Sequence, residues 1–246
     1  MSTAVPMITP TYTDVTAVGG VWQIAQINLP GTPRGAVILL CEPDGLGDQS
    51  VELMNRLAEH GYESLAANVT AIDPELLSDD RALAVLRAFV AHLGARGWRE
   101  EQIGVVGYGF GGRIALRAAA DLDLGAAISV SPVGMTRGNC VRPALLHAAR
   151  PVSTPWLGMF GADDEAAPAE AVRLLAERLT DPSPAYTQLV TYPGVDGDFF
   201  RESADALGHA AMFDSWQRII EWFNLRVVPR SSPYAEIWSL KEAMSD

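Results

Sequence analysis

The sequence predicts a single α/β domain, a mostly parallel central sheet with helices on both faces. Short apolar runs alternate along the chain with helix-length amphipathic stretches. Several of the runs are nearly continuous in apolar residues, as strands buried on both faces are. The 246 residues, 48% of them apolar, suffice for a sizeable core. "GVWQIAQINLP" (20–30) alternates like an antiparallel strand with one exposed face, whereas "GAVILLCE" (35–42) reads as a buried parallel strand. "SVELMNRLAEHG" (50–61) has helical spacing and a glycine stop, and "YESLAANV" (62–69) is a strand. "DDRALAVLRAFVAHLGARG" (79–97) is a helix, "QIGVVGYG" (102–109) a strand, and "FGGRIALRAAADL" (110–122) the helix that follows it. "GAAISVSP" (125–132) and "PWLGMFG" (155–161) are strands, and "PAEAVRLLAERL" (168–179) is a helix. "YTQLVTYPG" (186–194) is the last strand, and "HAAMFDSWQRIIEWFNL" (209–225) closes the domain as a long helix. The domain occupies 1–226, and 227–246 is a C-terminal extension. Within it Tyr234, Ile237, Leu240 and Met244 follow helical spacing, which makes a short docking helix.

A net charge of −12 repels a phosphate backbone, so nucleic acid is not an expected partner. Two cysteines, Cys41 and Cys140, make no disulfide framework, which fits a reducing compartment. The first residues, "MSTAVPMITPTYTD", lack a basic segment and a long apolar stretch. No apolar run approaches the ~20 residues of a membrane span. The expectation is a soluble, cytoplasmic protein that needs no membrane, cofactor or metal.

The stretch richest in chemistry is "GVVGYGFGGRIAL" (104–116), with Gly107, Gly109, Gly111 and Gly112 between a strand and a helix. Such a turn either mounts a nucleophile or cradles a phosphate. Gly107, Gly109 and Gly112 satisfy a dinucleotide-binding spacing. However, several strand–helix units come before this turn, and no acidic residue ends the next strand, "AAISVSP". A nucleophile-bearing turn needs Ser or Cys at its centre, where this chain has Gly109.

Five segments in order resemble the dienelactone hydrolase family of the α/β-hydrolase fold. They are "LPGTPRGAVILL" (29–40), "CEPDGLGD" (41–48), "GYGFGG" (107–112), "GADDEAAP" (161–168) and "YPGVDGDFFR" (192–201). The resemblance implies an α/β-hydrolase fold and an ester- or lactone-hydrolysing ancestry. It puts Glu42 in a retained pocket position with Cys41 in place of a histidine. It also puts Gly109 in the nucleophile's place, Asp164 at the triad aspartate and Gly197 in the place of the catalytic histidine. In the family a thiolate attacks the carbonyl, histidine moves protons and aspartate orients the histidine; glycine does neither of the first two tasks. The resemblance also implies a substrate-carboxylate arginine at Arg201, and a lid between the strand at 62–69 and the helix at 79 that is shorter here than is usual in the family.

The expected reading is therefore a catalytically degenerate member that binds a small carboxylate, carbonyl or lactone ligand, or a protein partner, at the former active-site mouth. Glu42, Gly109, Phe110, Asp198 and Arg201 would line it, with Phe110 offering a helix N-terminal amide. The C-terminal extension would serve a homo-oligomer or another protein. The rival is a hydrolase using displaced groups such as Cys41, Asp198 or His209. His60, His92 and His147 fall in or beside helices, away from the turn. Ser129 and Ser131, on a strand and at its end, are expected to bond backbone. Cys140 lies in a polar loop with Arg137 and Arg142. The carboxylates Asp44, Asp163, Glu165 and Asp196 join Glu42, Asp164 and Asp198 at the strand ends, as a solvated rim rather than a metal site.

Overall fold

The computed structural model describes residues 7–41, 46–68, 77–201 and 203–231. Eight strands form one sheet: β1 Thr11–Ala17, β2 Gly20–Ile27, β3 Gly35–Cys41, β4 Tyr62–Asn68, β5 Ile103–Tyr108, β6 Ala126–Val130, β7 Trp156–Gly161 and β8 Thr187–Tyr192. Their spatial order is β1-β2-β4-β3-β5-β6-β7-β8. The pairs β1/β2 and β2/β4 are antiparallel, and from β4 onward every pair is parallel. The antiparallel reading of 20–30 and the parallel sheet both hold. β1 was not anticipated, because in "TYTDVTA" only Val15 is buried. Its pairing with β2 along seven residues makes it a strand.

The helices are α1 Asp48–Glu59, α2 Asp79–Ala95, α3 Phe110–Asp121, the single turn α4 Leu145–Ala148, α5 Ala169–Thr180 and α6 Ala206–Arg226. Side-chain alternation splits the strands between two cores. Ile38, Leu40 and Val105 join Phe89 and Leu93 of α2, Ile114 of α3 and Leu175 of α5 on one face. Leu39, Val106 and Ile128 join Met54 and Leu57 of α1 with Trp216, Ile219 and Phe223 of α6 on the other. Both faces are covered, which is why β3 and β5 are apolar without interruption. Two helix starts are capped by side chains. Ser78 accepts from the Arg81 amide at 3.3 Å, and Asp205 from the Gly208 amide at 3.0 Å.

Beyond α6 the chain runs back over the domain. Val227 is buried, the Val228 amide donates to the Glu101 carbonyl (2.9 Å), and the Arg230 amide to the Arg34 carbonyl (3.1 Å). The Arg230 guanidinium lies 4.2 Å above the Trp98 ring. Of the C-terminal extension at 227–246, residues 232–246, which carry the expected docking helix, lie outside the described residues; so does the short lid between Val69 and Asp79, apart from Leu77 and Ser78. No described helix is long and apolar enough to cross a membrane.

Candidate functional site

The parallel order delivers the carboxyl ends of β5, β6, β7 and β8 side by side, where open α/β sheets bind ligands. β5 ends at Tyr108 and α3 starts at Phe110, so Gly109 alone makes the bend. Its φ of 53° and ψ of −113° lie in a region that glycine enters freely and other residues enter under strain. Three bonds fix the bend: the Gly109 amide donates to the Val130 carbonyl (3.0 Å), and the Gly109 carbonyl accepts from the amides of Arg113 (3.1 Å) and Val133 (3.2 Å). The neighbouring glycines let α3 approach backbone to backbone. A Cβ on Gly107 would stand 2.1 Å from the Gly111 carbonyl carbon, and one on Gly111 2.5 Å from the Leu40 carbonyl oxygen. The glycine pattern therefore serves the strand–turn–helix geometry throughout. The first amides of α3, from Phe110 onward, have no carbonyl one turn behind them.

Loops after β7 and β8 meet beside this bend. Asp164 follows β7, and its Oδ1 accepts from the Ala166 amide at 2.8 Å. Its Oδ2 stands 2.7 Å from where a Cβ on Gly197 would be. The 193–201 loop is pinned by aromatic rings. Phe199 packs on Tyr192 (4.8 Å between centroids), and Phe200 on Tyr108 (4.9 Å), the residue just before Gly109. Tyr192 in turn donates to Asp214 Oδ2 of α6 at 2.9 Å. Burial first, and then the Asp214 carboxylate, push its phenol well above the ordinary range. Two of the positions that the resemblance matched to a triad, Asp164 and Gly197, thus stand face to face, and Phe200 of the same loop packs on Tyr108, one residue before Gly109.

The other sequence candidates are placed as follows. Phe110 is buried in the core against α2, with the Arg142 guanidinium 4.6 Å from its ring. Asp198 and Arg201 bond each other (Nε to Oδ1, 3.1 Å), with side chains 69% and 38% exposed. The Arg201 guanidinium also lies 5.3 Å from the Phe200 ring. Glu42 and Asp44 lie outside the described residues, as does the side chain of Cys41 at the end of β3. His209 is exposed in the first turns of α6, and Cys140 is exposed in its loop. Asp163, Glu165 and Asp196 are exposed; the Asp196 carboxylate accepts from the Asp198 amide at 2.9 Å. Among the described residues, no group of three or more His, Cys, Asp or Glu side chains is placed to hold a metal ion.

Two features escaped sequence reading. Arg113, four residues beyond Gly109 and 1% exposed, makes a two-pronged bond to Asp79 at the start of α2 (2.7 and 2.6 Å) and donates to the Pro143 carbonyl (2.7 Å). The available signal was an arginine set among glycine, alanine and leucine in "FGGRIAL". The serine in β6 and the one just beyond it also part company. Ser129 behaves as expected, donating to the Gly112 carbonyl (2.7 Å) and accepting from the Trp156 indole (2.8 Å). Ser131 does not: its hydroxyl is buried without a partner, and its φ is +44°.

An eight-stranded, mostly parallel sheet with a nucleophile-type bend after β5 and an acidic loop after β7 defines an α/β hydrolase fold. Residues 25–226 match the model of the dienelactone hydrolase family. The chain belongs to that family. A protein of Salmonella typhimurium named "Putative carboxymethylenebutenolidase" is 29% identical over 206 residues, which cover 76% of each chain. A solved "Putative Dienelactone Hydrolase" from Klebsiella pneumoniae superposes with a TM-score of 0.72 at 23% identity, covering 87% of this chain and 98% of that one. The Thermogutta terrifontis esterase Est2, solved with propionate bound, gives a TM-score of 0.67 at 17% identity, over 90% and 97% of the two chains.

Proposed function

We propose that this chain binds a small carboxylate or carbonyl ligand at the bend before α3, and that it does not hydrolyse esters through a nucleophile–histidine–aspartate triad. One observation carries the reading: the Asp164 carboxylate faces the bare Cα of Gly197, 2.7 Å from where a side chain would begin. An aspartate there has no imidazole to orient, and the bend at Gly109 has no thiol or hydroxyl to activate. What persists is the binding half of the site. Free amides at the start of the 12-residue helix α3 favour a carbonyl oxygen or an anion. Est2, a neighbour in fold, holds propionate, a ligand of this class.

The test is hydrolysis of an activated ester, p-nitrophenyl acetate, by the wild type, by Gly109→Cys, and by Gly109→Cys with Gly197→His. The wild type is expected to match the uncatalysed rate. The double variant is expected to exceed both the wild type and Gly109→Cys, since only it combines nucleophile and base. Turnover by the wild type that is lost in Cys41→Ala overturns the proposal. A double variant that folds yet stays silent shows that Gly109 and Gly197 are not the triad positions.

A further inference from the structure

We propose that Ser131 is a ligand-contacting residue of this site, its hydroxyl donating to an oxygen of a small aliphatic monocarboxylate seated at the bend. The inference rests on the ligand-binding reading above and adds a residue that the family match does not supply. Two independent observations meet on this one side chain. Among the described residues, Ser131 is the sole non-glycine with a positive φ, +44°. Its hydroxyl oxygen is also shut off from solvent and has no hydrogen-bond partner, in a residue only 8% exposed. Left-handed backbone at a side chain-bearing residue is unfavourable, and so is a buried hydroxyl left unbonded. Where both fall on one residue, a functional role is the physical inference to draw.

Its position says which role. Val130 and Val133 both bond Gly109, one through its carbonyl (3.0 Å) and the other through its amide (3.2 Å). Ser131 and Pro132 form the short arch between those two bonds, directly against the bend. The Ser131 amide is tied on its other side to the Met159 carbonyl of β7 at 2.9 Å. Ser131 lies one residue beyond β6, whose alternation sets Ser129 against α3, and its left-handed φ departs from the extended backbone of the strand. A rotation about Cα–Cβ among its staggered positions is the movement that brings the hydroxyl to an incoming oxygen. The first amides of α3 start from the same bend and are donors as well. A group with two acceptor oxygens, a carboxylate, takes a bond from each source.

The experiment is an NMR titration of the full chain with sodium propionate, following the Phe110 amide, on wild type, Ser131→Ala and Ser131→Gly, together with thermal unfolding in the absence of propionate. Expected are a saturable shift in the wild type and affinities about tenfold or more weaker in both variants. Unfolding supplies a readout independent of the ligand. Ser131→Gly relieves the backbone and is expected to unfold about 2–10 °C higher. Ser131→Ala is expected not to unfold below the wild type, whereas Ser129→Ala, which breaks two existing bonds, is expected to do so. Wild-type affinity in both Ser131 variants overturns the role of Ser131 and leaves the ligand-binding reading standing. A fall in unfolding temperature in Ser131→Ala like that of Ser129→Ala shows a structural partner for the hydroxyl, and overturns it too. Absence of any propionate binding by the wild type overturns the reading and this inference together.

Discussion

Removing the Asp79 carboxylate isolates one of the most deeply buried charges described in the protein. Arg113 reaches it with both Nε and a terminal nitrogen, at 2.7 and 2.6 Å, and the two side chains are only 2% and 7% exposed. In Asp79→Ala the guanidinium keeps just the Pro143 carbonyl as partner. Breaking a buried pair from one side costs about 3–5 kcal/mol, because the remaining charge stays desolvated. Asp79 also stands in the first turn of α2, where an acidic side chain adds about 0.3–1 kcal/mol through the helix dipole. That contribution is several times smaller, and Asp80 beside it still supplies one of its kind, so the stranded guanidinium decides the outcome. In a chain of this size each kcal/mol moves the midpoint by about 2–4 °C. Thermal unfolding of Asp79→Ala should therefore fall by about 6–20 °C. A second variant, Asp79→Leu with Arg113→Met, removes both charges and should return to within about 2 kcal/mol of the wild type, or exceed it. An Asp79→Ala midpoint within about 2 °C of the wild type would refute the reasoning, since a truly buried guanidinium cannot lose its counter-charge so cheaply.

Two further predictions concern pH. Burial, opposed by the nearby Arg34, pushes the Tyr62 phenol up to about 12, and its hydroxyl donates to Asn224 Oδ1 at 3.0 Å. The unfolded phenol ionises near 10. Stability is thus intact below pH 10 and lost as the pH rises toward 12, by on the order of 2–3 kcal/mol. Tyr62→Phe should flatten that alkaline limb in urea unfolding; an unchanged limb counts against it. Burial, and then the charge of Arg96, hold His92 below the usual histidine range, and its Nε2 is buried without a partner. Its contribution is present above about pH 6.5 and is lost as the pH falls from there toward the lower native value. The stability difference between wild type and His92→Gln should therefore change across that acid window; a difference independent of pH rejects the assignment.

The parts of the fold legible in the sequence were those whose environment is uniform along the element. β3 and β5 lie under helices on both faces, so their apolar runs announced them. β1 sits at the sheet edge with Val15 alone buried, so no pattern marked it. Within the site, local signals worked and long-range ones did not. The glycine spacing of 107–112 is a property of one turn and was readable as such. The Asp79–Arg113 pair spans 34 residues, and nothing in "SDDRAL" or "FGGRIAL" names the partner. Ser129 and Ser131 look alike in "ISVSP". What separates them is the arch over Gly109, which forms only when β5, β6 and β7 are side by side.

The two glycines at the heart of the site differ physically. At Gly109 the constraint is the backbone: φ of 53° and ψ of −113° are held by bonds to Val130, Arg113 and Val133, none of which involves a side chain at 109. The bend can thus persist whatever residue occupies it, and a cysteine or serine there would carry about 1–3 kcal/mol of strain that glycine does not. At Gly197 the constraint is a neighbour. A side chain must move the Asp164 carboxylate, whose other oxygen is bonded to the Ala166 amide. The obstacle at 197 is the end of a side chain, which can swing, whereas the obstacle at 109 is a conformation the whole sheet edge enforces. On the proposed reading, glycine at 109 relaxes a strained bend, while glycine at 197 leaves room for the Asp164 carboxylate. The bend's shape depends on backbone bonds and not on a side chain at 109, which is why the proposed oxygen site needs no reactive group there.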